Sequence, residues 1–181
     1  GKFSAEIGSR GRFHELIVLS RGDDQFGATT AELGDILIQS GRPMLLAPRT
    51  GDVHNVFGTI AIAWKDTAES ARAMTAAMPF IEAADRVVLL TVSEGEDNSA
   101  AIDSTEKLAV ELRWHGIEPE IRCLSPRSRS VGETLIDAAE NSGANLLVLG
   151  GYGHSRAREF VLGGVTRYMF ESADFPTLIA H

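Results

Sequence analysis

The sequence contains very little cysteine and no long apolar run. A single cysteine, Cys123, among 181 residues excludes an intrachain disulfide framework and favours a reducing compartment. No apolar stretch approaches the length of a membrane span, and residues 1–7 hold no secretory apolar core. We therefore expect a cytoplasmic protein that makes no use of a membrane.

Positive charge is also scarce. The chain carries 17 lysine and arginine residues against 25 aspartate and glutamate residues, which gives a formal net charge of -8 and a pI of about 5.1. A surface of this sign repels nucleic acids and anionic lipids, so nucleic acid is not an expected partner. A local basic patch is still compatible with this balance, and residues 125–130 form a loop rich in serine and arginine.

Motifs for rapid catalysis are missing as well. The sequence has no P-loop lysine followed by Ser or Thr, and no nucleophile elbow. His154 and Ser155 are neighbours, but adjacency in sequence does not place a base against its nucleophile in space. The histidines show no metal-ligand spacing; they are His14, His54, His115, His154 and His181. We expect no metal site built by the protein alone and no fast enzyme.

The sequence does contain apolar strands that alternate with amphipathic helices. Short apolar runs predict strands at 15–20, 42–48, 58–64, 86–92, 118–124, 146–149 and 175–181. Asp66 or Thr67 is the expected cap of the second helix, which Pro79 should end or kink. The alternation predicts an α/β fold with a doubly wound parallel sheet, in which ligands bind beyond the carboxyl ends of the strands. Cys123 is predicted to be a packed strand residue.

A glycine-rich stretch follows the sixth predicted strand. Gly150, Gly151 and Gly153 come directly after that strand, and Gly163 and Gly164 precede a predicted helix. Backbone N–H groups at such glycines can surround an anion, and the helix dipole adds attraction. Glycines also serve sharp turns that bind nothing. A phosphate cradle and a simple turn are therefore two interpretations of the same pattern.

The spacing Gly-x2-Gly-x9-Gly resembles the nucleotide-binding signature of the universal stress protein family, in which Ser or Thr follows the third glycine. Over residues 56–181 the order of elements also resembles one complete domain of that family. The resemblance implies a five-stranded parallel sheet of the adenine-nucleotide alpha-hydrolase-like type. It further implies binding of ATP, with or without Mg²⁺, or of a related adenine nucleotide, and pairing of domains through the last strand.

An internal repeat relates the two ends of the chain. Residues 16–20 and 42–46 match residues 146–150 and 175–179. In the first copy the loop after the strand carries fewer glycines and two carboxylates, which repel phosphate. We therefore predict that the first copy does not bind nucleotide.

The repeat and the resemblance together predict the domain organisation. Residues 13–48 resemble only the last third of a universal stress protein domain. We predict a C-terminal remnant of a first domain at 1–50, a linker at 51–55 and a complete domain at 56–181. The strand at 15–20 would then lack its usual neighbours and present an exposed edge.

Site residues follow from the resemblance by position, except for His154 and Arg156, whose charge can either neutralise phosphate oxygens or face solvent. Phosphate and ribose contacts are assigned to Gly150, Gly151, Gly153, His154, Arg156, Gly163, Gly164 and Val165, and contacts to the base to Ala63, Trp64, Lys65, Asp66 and Val92. Two positions depart from the family. Gly164 replaces the hydroxyl residue after the third glycine and retains only its N–H. Lys65 replaces the acidic residue after the first strand, unless a shift by one residue supplies Asp66.

Three functions are compatible with these features. The first is a stress-response protein in which a bound adenine nucleotide acts as a regulatory or conformational switch. The second is a nucleotide-free dimeric scaffold, and the third is a slow nucleotide hydrolase. The expected partner besides the nucleotide is a second copy of the chain, bound through the terminal strands or through the exposed edge of the partial domain.

Overall fold

The computed structural model describes residues 1–20, 28–48, 57–93, 95, 97–152 and 163–181, and the fold is given for these residues. The helices are α1 (Lys2–Gly11), α2 (Thr30–Ser40), α3 (Ala68–Glu82), α4 (Ser99–Trp114), α5 (Val131–Asn141) and α6 (Gly164–Glu171). The strands are β1 (Ile17–Ser20), β2 (Met44–Ala47), β3 (Thr59–Ala63), β4 (Arg86–Val92), β5 (Glu120–Leu124), β6 (Leu146–Gly150) and β7 (Thr177–Ala180). The predicted linker, 51–55, lies outside the described residues.

The seven strands form one sheet in the order β1-β2-β7-β6-β3-β4-β5. From β7 to β5 every pair of neighbours is parallel, which confirms the predicted five-stranded parallel sheet in this part of the chain. β2 joins β7 in antiparallel orientation, and β1 extends the sheet in parallel to β2. Both edges of β7 are therefore occupied within the chain. Of the two predicted dimer routes, only the edge of β1 is free of a neighbouring strand in the described part of the chain.

The repeat seen in the sequence has an exact counterpart in strand register. We call β1, α2 and β2 the first arm, and β6, α6 and β7 the second arm. Ser20 pairs with Ala47 in the first arm, as Gly150 pairs with Ala180 in the second. The arms meet where Leu45 lies opposite Leu178, with Met44 opposite Ile179 on one side and Leu46 opposite Thr177 on the other. The pairing thus has a local two-fold arrangement. The division into a partial and a complete domain stays a prediction.

The core lies on both faces of the sheet. On one face, apolar residues of α2, α5 and α6 pack against the strands, and on the other, residues of α3 and α4 do so. The central strands are apolar on both sides because helices cover both sides. The fully buried strand residues include Ile60, Leu89, Leu146, Val148 and Leu178.

The first helix, α1, is absent from the sequence-based prediction. Its buried residues are small, namely Ser4, Gly8 and Gly11, and it packs against α2. A Cβ atom added to Gly11 would lie 2.4 Å from Cδ1 of Ile17, so a larger residue there would force the Ile17 side chain to move. A helix that packs through small residues shows no apolar periodicity, and the pattern therefore gave no signal.

Pro79 does not end α3, contrary to one of the two expectations. The helix continues to Glu82, with Pro79 on its exposed side. Its last turn is held by Ile81, which is 1% exposed, and by the ring of Phe80, which stacks on Phe57 at 5.7 Å. These contacts compensate for the backbone hydrogen bond that proline removes.

One expectation about side-chain packing is wrong. Cys123 lies on a strand as predicted, but it is exposed rather than packed. Its strand, β5, is the last strand of the sheet and therefore has a neighbour on one side only in the described structure.

Candidate functional site

A cavity of about 230 Å³ lies at the carboxyl ends of β3, β4 and β6. The chain leaves β3 in one direction toward β4 and β5, and β6 lies on the opposite side of β3 with β7 beyond it. β3 and β6 therefore flank the topological switch point, where doubly wound sheets bind their ligands. The cavity has an apolar wall formed by Leu90, Leu135 and Leu149.

Gly150 at the end of β6 allows α3 to approach the sheet closely. A Cβ atom at this position would lie 2.5 Å from the backbone nitrogen of Ser70 and 2.9 Å from Cβ of Glu69. The first turn of α3 therefore reaches the cavity only because position 150 has no side chain. Gly150 has a packing role in addition to lining the cavity.

The N-terminus of α6 opens into the cavity. Its N-cap is Gly163, which offers no side-chain acceptor, and its first turn contains no acidic residue. Apart from the adjacent backbone, no atom of the described residues lies within 4 Å of a Cβ atom placed at Gly163 or Gly164. The first N–H groups of a helix have no partner inside that helix. The backbone N–H groups of Gly164 and Val165 are thus available to an anion at this helix end.

The N-termini of α2 and α5 are closed by side chains. In α2 the hydroxyl of Thr29 accepts a hydrogen bond from the backbone N–H of Glu32 at 3.3 Å. The carboxylate of Glu32 in return accepts one from the N–H of Thr29 at 3.0 Å. Ser130 and Glu133 form the same reciprocal arrangement at α5. The N-cap residues of α1 and α4 also make no side-chain cap hydrogen bond, so what distinguishes α6 is that its uncapped N-terminus lines the cavity.

The segment after β3 contributes Trp64, Lys65 and Thr67 to the cavity. The indole N–H of Trp64 donates a hydrogen bond to Oγ of Ser104 at 3.2 Å, which fixes the ring between β3 and α4. Lys65 is exposed and lines the cavity, whereas the neighbouring Asp66 does not. Of the two candidates for the acidic position of the family, the cavity is therefore lined by Lys65 and not by Asp66.

Glu69 supplies a carboxylate among the lining residues. Its side chain is 18% exposed and lies 3.3 Å from the guanidinium of Arg72. A hydrogen bond from its own backbone N–H holds the pKa of Glu69 below its usual range, although burial opposes this effect. Position 69 is in the first turn of α3, where the helix dipole favours negative charge. The cavity thus contains an ionised carboxylate on one side and an open helix N-terminus on another.

Gly151 and Tyr152 turn away from the cavity. The backbone N–H of Gly151 donates to the carbonyl oxygen of Ala180 at 2.8 Å, and a Cβ atom there would lie 2.7 Å from Ile179. Gly151 is therefore used for packing. Tyr152 has a φ of 63°, a left-handed value rare for a bulky residue. Burial raises the pKa of Tyr152 to about 12, and the charge of Asp35 on α2 adds to this.

Most of the sequence-predicted site residues lie together. The cavity brings together Ala63, Trp64, Lys65, Val92, Gly150, Gly163, Gly164 and Val165. It does not include Asp66 or Gly151, and Gly153, His154 and Arg156 fall outside the described residues. The lining residues that sequence reasoning did not assign to the site are Thr67, Glu69, Ser70, Leu90, Val131, Leu135, Leu149 and Thr166. Val131 and Leu135 lie on α5, outside the glycine-rich stretch on which the prediction of the site rests.

Within the ranges given above, no three His, Cys, Asp or Glu side chains are grouped so as to hold a metal ion. Among the helices of the described part, none combines the length and apolarity that a membrane span requires.

The fold and the site define an α/β protein of the doubly wound class, with a ligand crevice at the switch point of a parallel sheet. The universal stress protein family matches residues 57–181, and the chain belongs to this family. No curated protein sequence matches the chain.

Solved structures show the same architecture. A universal stress protein from Archaeoglobus fulgidus is 18% identical, with a TM-score of 0.76, over 98% of this chain and 66% of that one. The chain thus spans 66% of the length of that relative. UspA from Lactobacillus plantarum is 16% identical, with a TM-score of 0.54, over 69% of this chain and 98% of its own. A universal stress protein in complex with cAMP is 21% identical, with a TM-score of 0.50, over 68% of this chain and 96% of its own. These similarities show a shared fold.

Proposed function

We propose that the chain binds ATP or a related adenine nucleotide in the cavity at the switch point and that the bound nucleotide acts as a conformational switch. The observation that carries this proposal is the uncapped N-terminus of α6, whose N–H groups open into the cavity. An anion is the ligand that such a helix end prefers. The complex of a family member with cAMP supports an adenine nucleotide as the ligand whose phosphate is this anion.

The phosphates would lie at the N-terminus of α6. The backbone N–H groups of Gly164 and Val165 would donate to phosphate oxygens, as the open space around Gly163 and Gly164 permits. His154 and Arg156 would neutralise the remaining charge. Gly164 supplies an N–H and no hydroxyl, so the contacts there are made by the backbone.

The base and ribose would occupy the part of the cavity between β3, β4 and α5. Ala63, Val92 and Leu135 offer apolar surface for the base, and the ionised Glu69 can accept hydrogen bonds from ribose hydroxyls. Trp64, held by Ser104, forms the side near α4. Lys65 at the rim would attract a second anionic group of the ligand.

The switch would act through α6. This helix presents its N-terminus to the ligand and packs against α5 and α2. Tyr152, which donates its backbone N–H to Oγ1 of Thr166 at 3.3 Å, connects the end of β6 to the same helix. Because α6 packs against α2, a ligand bound at the N-terminus of α6 acts on a contact between the two arms.

We also propose that the edge of β1 is the dimer contact of the chain.

The decisive experiment is calorimetric titration of ATP, with and without Mg²⁺, into the native chain and Gly164→Val. The variant should fold normally, because no described residue outside the adjacent backbone lies within 4 Å of a Cβ atom at Gly164, and its branched side chain should occupy the phosphate position. Ala71→Val, on the exposed side of α3, is the matched control. Binding that is lost only in Gly164→Val supports the proposal.

The opposite results are equally informative. Equal ATP affinity in the native chain, Gly164→Val and Ala71→Val would show that the phosphates do not bind at the N-terminus of α6. No binding in any of them would leave the nucleotide-free scaffold as the function to pursue, with dimerisation in sedimentation analysis as its test.

A further inference from the structure

A second groove lies on the other side of α5 from the nucleotide cavity. It has a volume of about 740 Å³ and runs between β5, the loop after it and α5. Val131 and Leu135 of α5 face the nucleotide cavity, whereas Asp137 and Asn141 face this groove. The two spaces are thus separated by one helix, and the proposed nucleotide does not explain the second.

The groove is positively charged in a chain whose net charge is -8. It is lined by Arg122, Arg127 and Arg129, against the single carboxylate of Asp137 among its lining residues. Arg129 forms an ion pair with Asp137. Nε of Arg122 lies 2.6 Å from the carboxylate of Glu120. Arg127 has no charged partner among the described residues. The groove therefore retains positive charge after its internal ion pairs are counted.

Arg127 is also held in an unusual backbone conformation. Its φ is 53°, in the left-handed region that a residue other than glycine rarely adopts, and its side chain is exposed. Such a conformation costs about 1 kcal/mol or more and is concentrated at functional positions. Here it presents an unpaired guanidinium to the groove.

The groove runs beside a free strand edge. β5 pairs with β4 alone in the described sheet. The carbonyl oxygen of Leu124 accepts a hydrogen bond from the N–H of Ser93, which continues from β4, so Leu124 directs its backbone groups inward. Backbone directions alternate along a strand. Ile121 and Cys123 therefore point their N–H and C=O groups toward the open side.

We propose that β5 and this groove bind an acidic peptide segment of a partner protein in extended conformation. The segment would pair with the free edge of β5 through Ile121 and Cys123, and its carboxylates would face Arg122, Arg127 and Arg129. Strand addition obtains affinity from main-chain hydrogen bonds and specificity from side-chain pockets. Charged residues on an edge strand oppose pairing between copies of the chain, and an acidic partner satisfies them.

Cys123 provides a reporter in the native chain because it is the only cysteine and is exposed. The probe is a fluorescent hexapeptide of alternating valine and glutamate, compared with its valine-lysine analogue and with a version methylated at alternate backbone nitrogens. Binding is followed by anisotropy, and protection of Cys123 by its rate of reaction with iodoacetamide. We expect the acidic peptide alone to bind and to slow the reaction of Cys123 at least threefold.

Arg127→Asn tests the charge, since asparagine tolerates the left-handed conformation. The matched control is Arg10→Asn on α1, remote from the groove. We expect at least fivefold weaker binding in Arg127→Asn and none of this loss in the control.

Four results would overturn the proposal: equal binding of the acidic and basic peptides, equal binding of the methylated peptide, no difference between the two variants, or no binding at all. Protection of Cys123 that rises with the concentration of the protein alone would instead assign the edge to a second copy. Displacement of the acidic peptide by single-stranded nucleic acid, with tighter binding of the latter, would assign the groove to that ligand.

Discussion

The two arms have the same strand register, but side chains cap the N-terminus of α2 and none caps that of α6. In the first arm α2 begins with Thr29 and Glu32, which close the helix end and place a carboxylate there. In the second arm α6 begins with Gly163 and Gly164, which leave the end open. The difference teaches that a repeated frame can carry a site in one copy and exclude it in the other through a few residues at one helix end.

A second contrast lies at the ends of the strands. Ser20 and Gly150 occupy equivalent positions, paired with Ala47 and Ala180. Ser20 is exposed, whereas Gly150 lies against the first turn of α3. In the second arm, α3 therefore covers the end of the strand and forms a crevice there. The equivalent position of the first arm faces solvent.

The largest effect is expected when the residue of the first arm is placed in the second. Gly150→Ser introduces a Cβ atom where only 2.5 Å separates it from the nitrogen of Ser70. We expect a loss of about 1 to 3 kcal/mol in the free energy of unfolding, by overpacking. Chemical denaturation measures it. Ser20→Gly, the reverse exchange, is the control and should cost less, since Ser20 contacts no covering helix. Equal losses would contradict this account of Gly150.

An intermediate effect is expected when the open helix end is closed. Gly163→Asp provides an N-cap acceptor and negative charge at α6. The free energy of unfolding should therefore rise by about 0.5 kcal/mol, and the thermal midpoint should rise slightly with it. ATP affinity should fall at least about tenfold, because the cap uses the donors and repels phosphate. Calorimetry measures both quantities.

Gly163→Asn separates the two causes, since it caps the helix without charge and should weaken binding less. Unchanged ATP affinity in Gly163→Asp would mean that the phosphates lie away from α6.

The smallest effect concerns the closed end of the first arm. Hydrogen bonding, first from the backbone N–H of Thr29, holds the pKa of Glu32 below its usual range. A lowered folded-state pKa stabilises the protein above the unfolded pKa, and this contribution is lost as the pH falls through the folded value. Glu32→Gln should therefore reduce stability at pH 7 and make little difference at pH 3.

Urea denaturation of both proteins at the two pH values measures this contribution. Glu6→Gln, in an exposed pair on α1, is the control. A variant that lost as much stability at pH 3 as at pH 7 would show that the carboxylate charge of Glu32 is not responsible.

Much of the fold could be predicted because its signals are local. Apolar runs such as 86–92 gave a strand with the observed bounds, and Thr67, one of the two expected caps, is the N-cap of α3. α1 gave no signal because its packing uses small residues. The continuation of α3 beyond Pro79 depends on Phe57, which is distant in sequence and could not be weighed from the pattern.

The residues of the candidate site that are glycines or lie at strand ends could be predicted from the sequence. Those that reach the cavity through packing between distant elements were much less predictable. Lys65 and Asp66 could not be distinguished by counting along the chain. Glu69 resembled any acidic residue in a first helical turn, and only the approach of α3 over Gly150 brings it to the cavity.

The sequence by itself determined the α/β order, the repeat and the position of the glycines, because periodicity, capping and turns depend on neighbouring residues. The tertiary structure alone decided what each glycine does. Gly150 and Gly151 are packed against distant elements, while no described element packs against Gly163 or Gly164. The physical reason is that a missing side chain acts through the space around it, and that space is formed by elements far away in the chain.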